Sequence, residues 1–269
     1  MTTGLQRIAK GITARHAAIA GAICLAVGGG SGLAACSYNE TLGRDQFLLV
    51  DNAALEKASL EAWQMNLRKS KVSTDKVLNQ RLQTVSARIV RAAGLENRPW
   101  EYVLFDDPSA NAFVIPGGKI GVNTGLFKVA RNDDQLAAVI GHEVAHSVAN
   151  HAAERYSQTM AAQIGLAVAQ GAAAQDNPDL ARQIGAYGGI GAQLGLLLPF
   201  SRKHELEADR IGVDYMVRAG YKANEAIALW RNMAQNREGR GQPPQFLSTH
   251  PSDDTRINAL QQYIQAKGY

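Results

Sequence analysis

Apolar residues recur at helical spacing over several long segments of the chain, and the region between two of them has strand-like character. The clearest helix is predicted over 74–93, where the pattern ends at Gly94, a natural C-terminal stop. A second helix is predicted to begin at Asn132 or Asp133 and to run to about Asn150. The apolar positions are Leu78, Leu82, Val85 and Ile89 in the first helix, and Leu136, Ile140, Val144 and Val148 in the second. Further helices are predicted over 52–69, 203–219, 223–236 and 253–266.

A small β-sheet is predicted between these two helices. Residues 100–105 (WEYVLF) are apolar and aromatic and are followed by turn-forming residues. Residues 111–115 and 119–122 flank a Pro-Gly-Gly turn, which is typical of a β-hairpin. The order of elements therefore predicts an α+β fold that is mainly helical, with a small sheet or hairpin before the helix at 132–150.

Residues 155–198 are rich in alanine and glycine and are predicted to form two helices, separated by 175–178. Small residues permit close helix approach, and polar side chains interrupt both apolar stretches. These features favour packing within a soluble domain, with membrane insertion as the alternative. The interrupting residues are Gln163, Gln170, Arg182, Gln183 and Gln193.

The N-terminal region has the pattern of a secretory signal. Residues 1–16 are polar and positively charged, and 17–27 are continuously apolar but shorter than the roughly 20 residues that span a bilayer. Residues Leu33 to Cys36 resemble the lipobox of bacterial lipoproteins, so Cys36 is predicted to be lipidated after cleavage. A plain secreted protein and an uncleaved membrane anchor are the alternatives.

Three regions follow from this pattern: a lipoprotein signal peptide at 1–35, a lipidated tether at 36–50 and one folded domain at 51–269. By resemblance to enterobacterial sorting, Ser37 favours transfer to the outer membrane. The expected location is a bacterial cell envelope, where the lipid anchor attaches the protein to the outer membrane, facing the periplasm.

The formal charge of +4 does not indicate a nucleic-acid-binding surface. Three basic residues lie in the first 35 positions, which contain no acidic residue, and the remaining chain has 25 basic and 24 acidic residues. No later basic cluster has the density of a nucleic-acid patch. The two cysteines, Cys24 and Cys36, argue against a disulfide framework and against a catalytic thiol.

The segment GHEVAH at 141–146 provides two ligands of a predicted zinc site. Helical residues four positions apart lie on one face, so His142 and His146 can bind one cation through neutral imidazoles. Glu143 lies between them and is placed to take a proton from water rather than to bind the metal. A catalytic zinc also needs a third protein ligand and one open position.

A later helix supplies a candidate for the third ligand. Ala149 and Ala152 occupy positions where a metzincin would have Gly and a third His, which excludes that class. Glu205 and Asp209 share a helical face, so Glu205 can bind zinc while Asp209 accepts a hydrogen bond from a ligating histidine. His151 and His204 are the competing donors.

Four motifs resemble those of the gluzincin peptidases related to HtpX, BepA, LoiP and the CAAX prenyl protease. They are NAFVIPGGKIGVNTGLF at 111–127, GHEVAH at 141–146, EADRIG at 207–212, and THP at 249–251 followed by Arg256. The resemblance covers roughly 75–265 and implies a zincin-like catalytic domain. The lipobox and the expected absence of a C-terminal repeat domain make LoiP-like lipoprotein proteases the nearest comparison. The several membrane spans of HtpX and the prenyl protease are not expected, so prenyl-protein processing is not implied.

The resemblance implies a role for each matching residue of the metal motifs. His142, His146 and Glu205 would bind one zinc ion per chain. Glu143 would activate water as the general base, and Asp209 would support a ligand.

The resemblance also implies roles outside these motifs. Arg256 would stabilise the oxyanion of the transition state, and His250 would assist the transition state or occupy the open metal position. A solvated helix residue and a loop cap are the respective alternatives. Phe113, Val114 and Ile115 would offer an edge strand to an extended substrate, with a purely structural hairpin as the alternative.

The expected function is a zinc-dependent endopeptidase in which zinc-activated water hydrolyses misfolded or unassembled cell-envelope proteins. Its partners would be polypeptide substrates and, through the lipid anchor, a membrane. The alternatives are an envelope chaperone or assembly factor with a vestigial metal site, and a structural lipoprotein with a chance motif.

Overall fold

The computed structural model describes residues 36–176, 200–238, 245–251 and 254–269. These ranges form two small sheets and a set of helices around one hydrophobic core. The strands are β1 (Cys36–Asn39), β2 (Arg44–Phe47), β3 (Glu101–Phe105), β4 (Ala112–Ile115) and β5 (Lys119–Asn123). The helices are α1 (Asn52–Lys69), α2 (Lys76–Ala92), α3 (Asp133–Val148), α4 (His151–Asp176), α5 (Arg202–Arg218), α6 (Asn224–Glu238), α7 (Gln245–Thr249) and α8 (Asp254–Lys267), with a 3-10 helix at Thr124–Lys128. The predicted α+β, mainly helical fold with a sheet before the HExxH helix is confirmed.

The three-stranded sheet has the order β3-β5-β4, with β3 parallel and β4 antiparallel to β5. Strands β4 and β5 are the predicted hairpin. Their turn contains Gly117 and Gly118 at φ values of 91° and 72°, which glycine adopts without steric penalty. The ring of Phe113 lies over Gly121 of β5, where any Cβ would collide with it. This order leaves β4 at an edge of the described sheet.

Helix α3 lies at the centre of the domain. Asn132 is its N-cap and accepts a hydrogen bond from the backbone N–H of Gln135 at 2.8 Å, which decides between the two predicted starting residues. Every side chain from Gln135 to His146 is buried, because α2, α5, α6 and β4 all pack against this helix. The single apolar stripe predicted for α3 is therefore too narrow a description of its packing.

Residues 36–50 do not form the simple tether that the sequence predicts. Strands β1 and β2 pair as an antiparallel hairpin, and this N-terminal hairpin packs on the domain. The Gln46 side chain is 1% exposed and donates to the backbone carbonyl of Ala149 and to Glu154, both at 2.7 Å. The segment docks because these buried polar contacts satisfy both partners. Cys36 is exposed with a free thiol, and its lipidation stays a prediction.

Helix α4 corresponds to the first helix predicted over 155–198, although it begins earlier, at His151. The second predicted helix and the signal peptide at 1–35 lie outside the described residues. None of the described helices is both long and apolar enough to cross a bilayer.

Candidate metal centre

Helices α3 and α5 cross with their backbones in contact, and this contact brings the predicted ligands together. A Cβ on Gly141 would lie 2.8 Å from the carbonyl oxygen of Gly212, and a Cβ on Gly212 would lie 2.8 Å from the backbone nitrogen of His142. A larger residue at either position would push the helices apart. Gly141 directly precedes His142, and Gly212 lies about two turns after Glu205, so the contact sets the spacing of the site.

The side chains of His142, His146 and Glu205 converge beside this crossing. The two Nε2 atoms are 3.1 Å apart. Oε1 of Glu205 is 3.4 Å from Nε2 of His146, and its Oε2 is 3.5 Å from Nε2 of His142. All three residues are at most 3% exposed. The structure therefore assembles the three predicted ligands, while His151 and His204 do not belong to the group that can share an ion.

These separations fit a tetrahedral zinc ion. Bonds of 2.0–2.1 Å from zinc to nitrogen or oxygen place ligand atoms about 3.3–3.4 Å apart. The two Nε2 atoms are 3.1 Å apart, and the Glu205 carboxylate places Oε1 3.4 Å from one of them and Oε2 3.5 Å from the other. The residues present thus fit the metal in distance, and the proton positions on the two histidines test the fit further.

Asp209 fixes the proton of His142. Its Oδ1 lies 3.0 Å from Nδ1 of His142, nearer than Nη2 of Arg256, which is 3.3 Å from the same nitrogen. Burial raises the pKa of Asp209, but the Arg256 guanidinium outweighs this and lowers it, so the carboxylate can only accept. His142 therefore donates through Nδ1 and directs the lone pair of Nε2 towards the other ligands. Burial also lowers the pKa of His142, which keeps the ring neutral.

His146 is held by a different set of side chains. Its Nδ1 is 2.9 Å from Nδ1 of His151, and Nε2 of His151 is 3.1 Å from Oε2 of Glu207. In the tautomer in which Nε2 of His151 donates to Glu207, its Nδ1 accepts from Nδ1 of His146. Burial lowers the pKa of His146 well below its usual value. Both Nε2 lone pairs thus face each other at 3.1 Å, an arrangement that a cation stabilises.

His151 and Glu207 belong to a second group of histidines and carboxylates, the outer cluster, which consists of His151, His204, Glu154 and Glu207; all but the half-buried Glu207 are buried. Arg44 of β2 pairs with both of its glutamates. Sequence reasoning missed this support, because it weighed His151 only as a ligand and assigned Arg44 to a tether. The only available signal was the proximity of His151 to His146 and of Glu207 to Glu205 in the chain.

His250 joins the ligands as a fourth candidate. Its Nδ1 lies 3.2 Å from Nε2 of His142 and 3.0 Å from Oε1 of Glu205. Its ring stacks between Phe246 and Phe200, at centroid distances of 4.4 and 5.3 Å. The structure therefore places His250 next to the metal position, as the resemblance implied, rather than in a capping position on the surface. We define His142, His146, Glu205 and His250 as the inner cluster.

Glu143 lies beside the inner cluster but does not belong to it. Its Oε2 accepts the backbone N–H of Val114 at 3.1 Å. Its Oε1 is buried without a hydrogen-bond partner among the described residues and lies 3.3 Å from Nε2 of His250. Burial raises the pKa of Glu143 to about 7. A carboxylate with one anchored and one available oxygen, and a pKa near neutrality, suits proton transfer to and from a water at the metal.

Arg256 is buried against the carboxylates of the site, and its predicted role at an oxyanion stays a prediction. It is 2% exposed, it contacts Glu205 and Asp209, and it stacks on Trp230 at 3.9 Å. Its Nη1 also donates to the carbonyl of Pro251 at 3.0 Å. Its charge is therefore directed at the carboxylates that hold the site. The alternative of a solvated helix residue is excluded, because Arg256 is 2% exposed.

A cleft of about 600 Å³ passes the inner cluster. Phe113, Val114 and Ile115 line it together with Glu143 and His250, and α1 and α4 supply much of the remaining wall. The Phe113 ring packs on Phe105 and Trp63 at centroid distances of 6.2 and 6.1 Å, so this side chain is also structural. The structure thus brings β4 to the site, and its role as a substrate strand stays a prediction.

Comparison with known proteins agrees with this geometry. The sequence profile described as Peptidase family M48 matches residues 76–264. The chain is 39% identical over 180 residues to the mitochondrial metalloendopeptidase OMA1 of Schizosaccharomyces pombe, which covers 67% of this chain and 51% of the relative. It is 33% identical over 205 residues to the protein of that name from Saccharomyces cerevisiae, which covers 70% of this chain and 56% of that relative. It is 30% identical over 210 residues to a putative beta-barrel assembly-enhancing protease of Vibrio cholerae, which covers 73% of this chain and 41% of that relative. The matches thus extend over only about half of these relatives.

The predicted location at a bacterial outer membrane is contradicted by the yeast relatives, whose names place them in mitochondria. That prediction is therefore wrong, whereas the cell-envelope origin of the substrates stays a prediction. The physical basis of the predicted location was a short apolar run and the four-residue motif LAAC at 33–36, which carry little sequence information. The domain-wide matches concern the folded region instead. Because the family profile covers more than half of the chain, the chain belongs to the metallopeptidases of family M48.

Proposed function

We propose that this protein is a zinc-dependent endopeptidase that hydrolyses misfolded or unassembled polypeptides and binds one zinc ion through His142, His146 and Glu205. The observation that carries the proposal is the convergence of the Nε2 atoms of His142 and His146, 3.1 Å apart, on the carboxylate of Glu205, whose two oxygens lie 3.5 and 3.4 Å from them. The available Oε1 of Glu143 lies beside them. Metal ligands and a base in one cleft support hydrolysis more directly than a binding role.

The residues divide the work of the reaction. When bound, zinc supplies Lewis-acid polarisation of water and of the scissile carbonyl. Glu143 receives a proton from the attacking water at Oε1 and passes it to the leaving amine, while the Val114 N–H holds its other oxygen in place. His250 is near enough to donate a hydrogen bond to the developing oxyanion or to occupy the fourth position in the resting protein. Asp209 and Arg256 keep the ligands oriented.

The cleft supports an extended polypeptide as substrate. Strand β4 borders the cleft at the edge of its sheet, so a substrate segment can add to it through backbone hydrogen bonds. Backbone pairing tolerates many side chains, and only unfolded segments can adopt an extended conformation beside a strand. Misfolded or unassembled chains are therefore the favoured substrates.

Casein cleavage with measured zinc content tests the proposal. The Glu143→Gln variant should lose roughly 10²- to 10⁴-fold in kcat and keep one zinc per chain, because the base is lost while the ligands remain. Glu96→Gln, at an exposed position far from the inner cluster in the chain, is the matched control and should behave as wild type. Undiminished cleavage by Glu143→Gln would contradict the mechanism.

Two other results would point to the alternatives. Zinc binding without cleavage, combined with suppression of client aggregation that Glu143→Gln leaves intact, would favour a chaperone with a vestigial site. The absence of stoichiometric zinc in the wild type would favour a purely structural role for the motif.

A further inference from the structure

Arg44 binds the outer cluster with every nitrogen of its guanidinium. Its Nε and Nη2 donate to the two oxygens of Glu207 at 2.7 and 2.8 Å. Its Nη1 and Nη2 donate to the two oxygens of Glu154, both at 2.9 Å. Such bidentate pairs combine charge with a fixed geometry. One side chain of the N-terminal hairpin therefore joins β2 to helices α4 and α5.

These contacts continue to a proposed metal ligand. Glu207 accepts from Nε2 of His151 at 3.1 Å, and Nδ1 of His151 is 2.9 Å from Nδ1 of His146. Both oxygens of Glu207 accept from the Arg44 guanidinium, so the carboxylate is an acceptor towards His151 as well. With Nε2 of His151 donating to Glu207, the protons in the series point in one direction, from His146 to His151 and from His151 to Glu207.

We propose that Arg44, Glu207 and His151 are positioning residues that hold His146 in the tautomer and ring orientation needed for zinc binding. The proposal rests on the zinc ligands proposed above. His146 needs a hydrogen-bond acceptor at Nδ1 for its Nε2 to present a lone pair, and His151 is that acceptor only while its own proton is held at Nε2. Glu207 holds that proton, and Arg44 keeps Glu207 ionised and oriented.

The arrangement couples docking of the N-terminal hairpin to metal affinity. The Arg44 side chain is 17% exposed and Gln46 is buried, so the contact exists only while the hairpin is docked. Undocking would leave Glu154 and Glu207 without their shared cation and would release the ring of His151. A protein whose hairpin is detached is therefore expected to bind zinc more weakly.

The test is zinc affinity of the full chain, measured by competition with a chelating indicator. His151→Phe removes the acceptor and should weaken zinc binding by roughly 10- to 100-fold, the usual effect of losing a partner of a ligating histidine. His151→Asn places an amide oxygen near the position of Nδ1 and should restore most of that loss. Arg44→Ala acts two contacts away and should weaken binding by about 10-fold or less.

The matched control is Arg81→Ala. Arg81 pairs with Asp133 at 2.8 Å, at the opposite end of the helix that carries His142 and His146. Its loss should leave zinc affinity unchanged. In metal-free wild type, nitrogen NMR of the imidazoles should show His146 with its proton at Nδ1. That signal should weaken in His151→Phe and return in His151→Asn, which a general loss of stability would not produce.

The outcomes separate this inference from the function on which it rests. If Glu205→Gln abolishes zinc binding while both His151→Phe and Arg44→Ala bind zinc as wild type does, the ligands are correct and the positioning role is wrong. If Glu205→Gln leaves zinc binding unchanged, the proposed ligands themselves are wrong. Should His151→Phe fail to fold, Arg44→Ala decides the matter, because its side chain lies on a peripheral hairpin.

Discussion

The inner and outer clusters contain the same kinds of side chain, but only the inner cluster is arranged for a metal ion. Each combines buried histidines with glutamates, and His146 and His151 join the two at 2.9 Å. In the outer cluster, Arg44 donates to all four carboxylate oxygens. In the inner cluster, Arg256 contacts Oε2 of Glu205, and Oε1 faces His146 and His250.

The difference shows that composition alone does not identify a metal site. In the outer cluster the Arg44 guanidinium balances the carboxylate charge, and His151, His204 and Gln46 occupy further lone pairs of the same oxygens. The inner cluster keeps an oxygen and two imidazole nitrogens directed at one point. The direction of the lone pairs, which depends on the neighbouring donors, therefore decides where the metal binds.

The largest effect on zinc binding should come from replacing the two glutamates of α5 by glutamine, one at a time. Glu205→Gln removes a charged ligand and should weaken zinc binding by more than about 100-fold, beyond the range seen for supporting residues. Glu207→Gln keeps an acceptor for His151 and should weaken it by about 10-fold or less. Zinc titration of both variants measures this contrast directly, since the two residues lie on one helix and differ only in cluster.

Equal losses of zinc affinity in Glu205→Gln and Glu207→Gln would contradict the distinction between the two clusters. A greater loss for Glu207→Gln would reverse it and would make the outer cluster the metal site. Circular dichroism of both metal-free variants controls for unfolding.

The sequence predicts the inner cluster well because its information is local. His142 and His146 are one helical turn apart, and the apolar positions of α3 identify the helix on which they lie. Glu205 and Asp209 repeat that spacing on α5. These features depend on helical periodicity, which any reader of the chain can count, and the motif order connects the two helices.

The outer cluster and the N-terminal hairpin could not be predicted in this way. Strand β2 has the sequence RDQF, which lacks the apolar alternation of a strand, and its order depends on polar contacts with α4 and α5. The position of Arg256 depends on tertiary packing too, because only the folded structure places Trp230 and two carboxylates around its guanidinium. Contacts between distant residues without periodicity leave no pattern in one sequence.

A second experiment concerns the glycines that set the spacing of the inner cluster. Gly212→Ala should lower the free energy of unfolding by about 1–3 kcal/mol, because the added methyl group collides with the backbone of α3. It should also weaken zinc binding, because His142 and Glu205 lie on the two helices that separate. Chemical denaturation of the metal-free protein and zinc titration measure the two effects.

Gly165→Ala in α4 is the matched control. A Cβ there meets no described atom within 4 Å, so the substitution should stabilise the helix by up to about 1 kcal/mol. If Gly212→Ala were as stable as Gly165→Ala, the close contact of α3 and α5 would not be needed for the site.

The smallest expected effect is a pH dependence of kcat/KM, which distinguishes Glu143 from Glu207. The environments of these two glutamates shift their pKa values in opposite directions. Burial raises the pKa of Glu143 to about 7, whereas Arg44 and His151 overcome burial and lower that of Glu207 to about 2. Glu143 must be ionised to accept a proton, so kcat/KM should fall as pH drops below about 7, by up to about tenfold per unit. A bound cation favours the ionised form, so this value is an upper limit for the midpoint of the fall. The profile is measured at saturating zinc with the metal content checked at each pH, because acid also protonates the ligating histidines.

Glu207→Gln should lower the plateau of the pH profile and leave its midpoint in place, since Glu207 of the wild type stays ionised throughout this range. A midpoint that moves with Glu207→Gln would mean that the outer cluster carries the proton, and Glu143 would then not be the base.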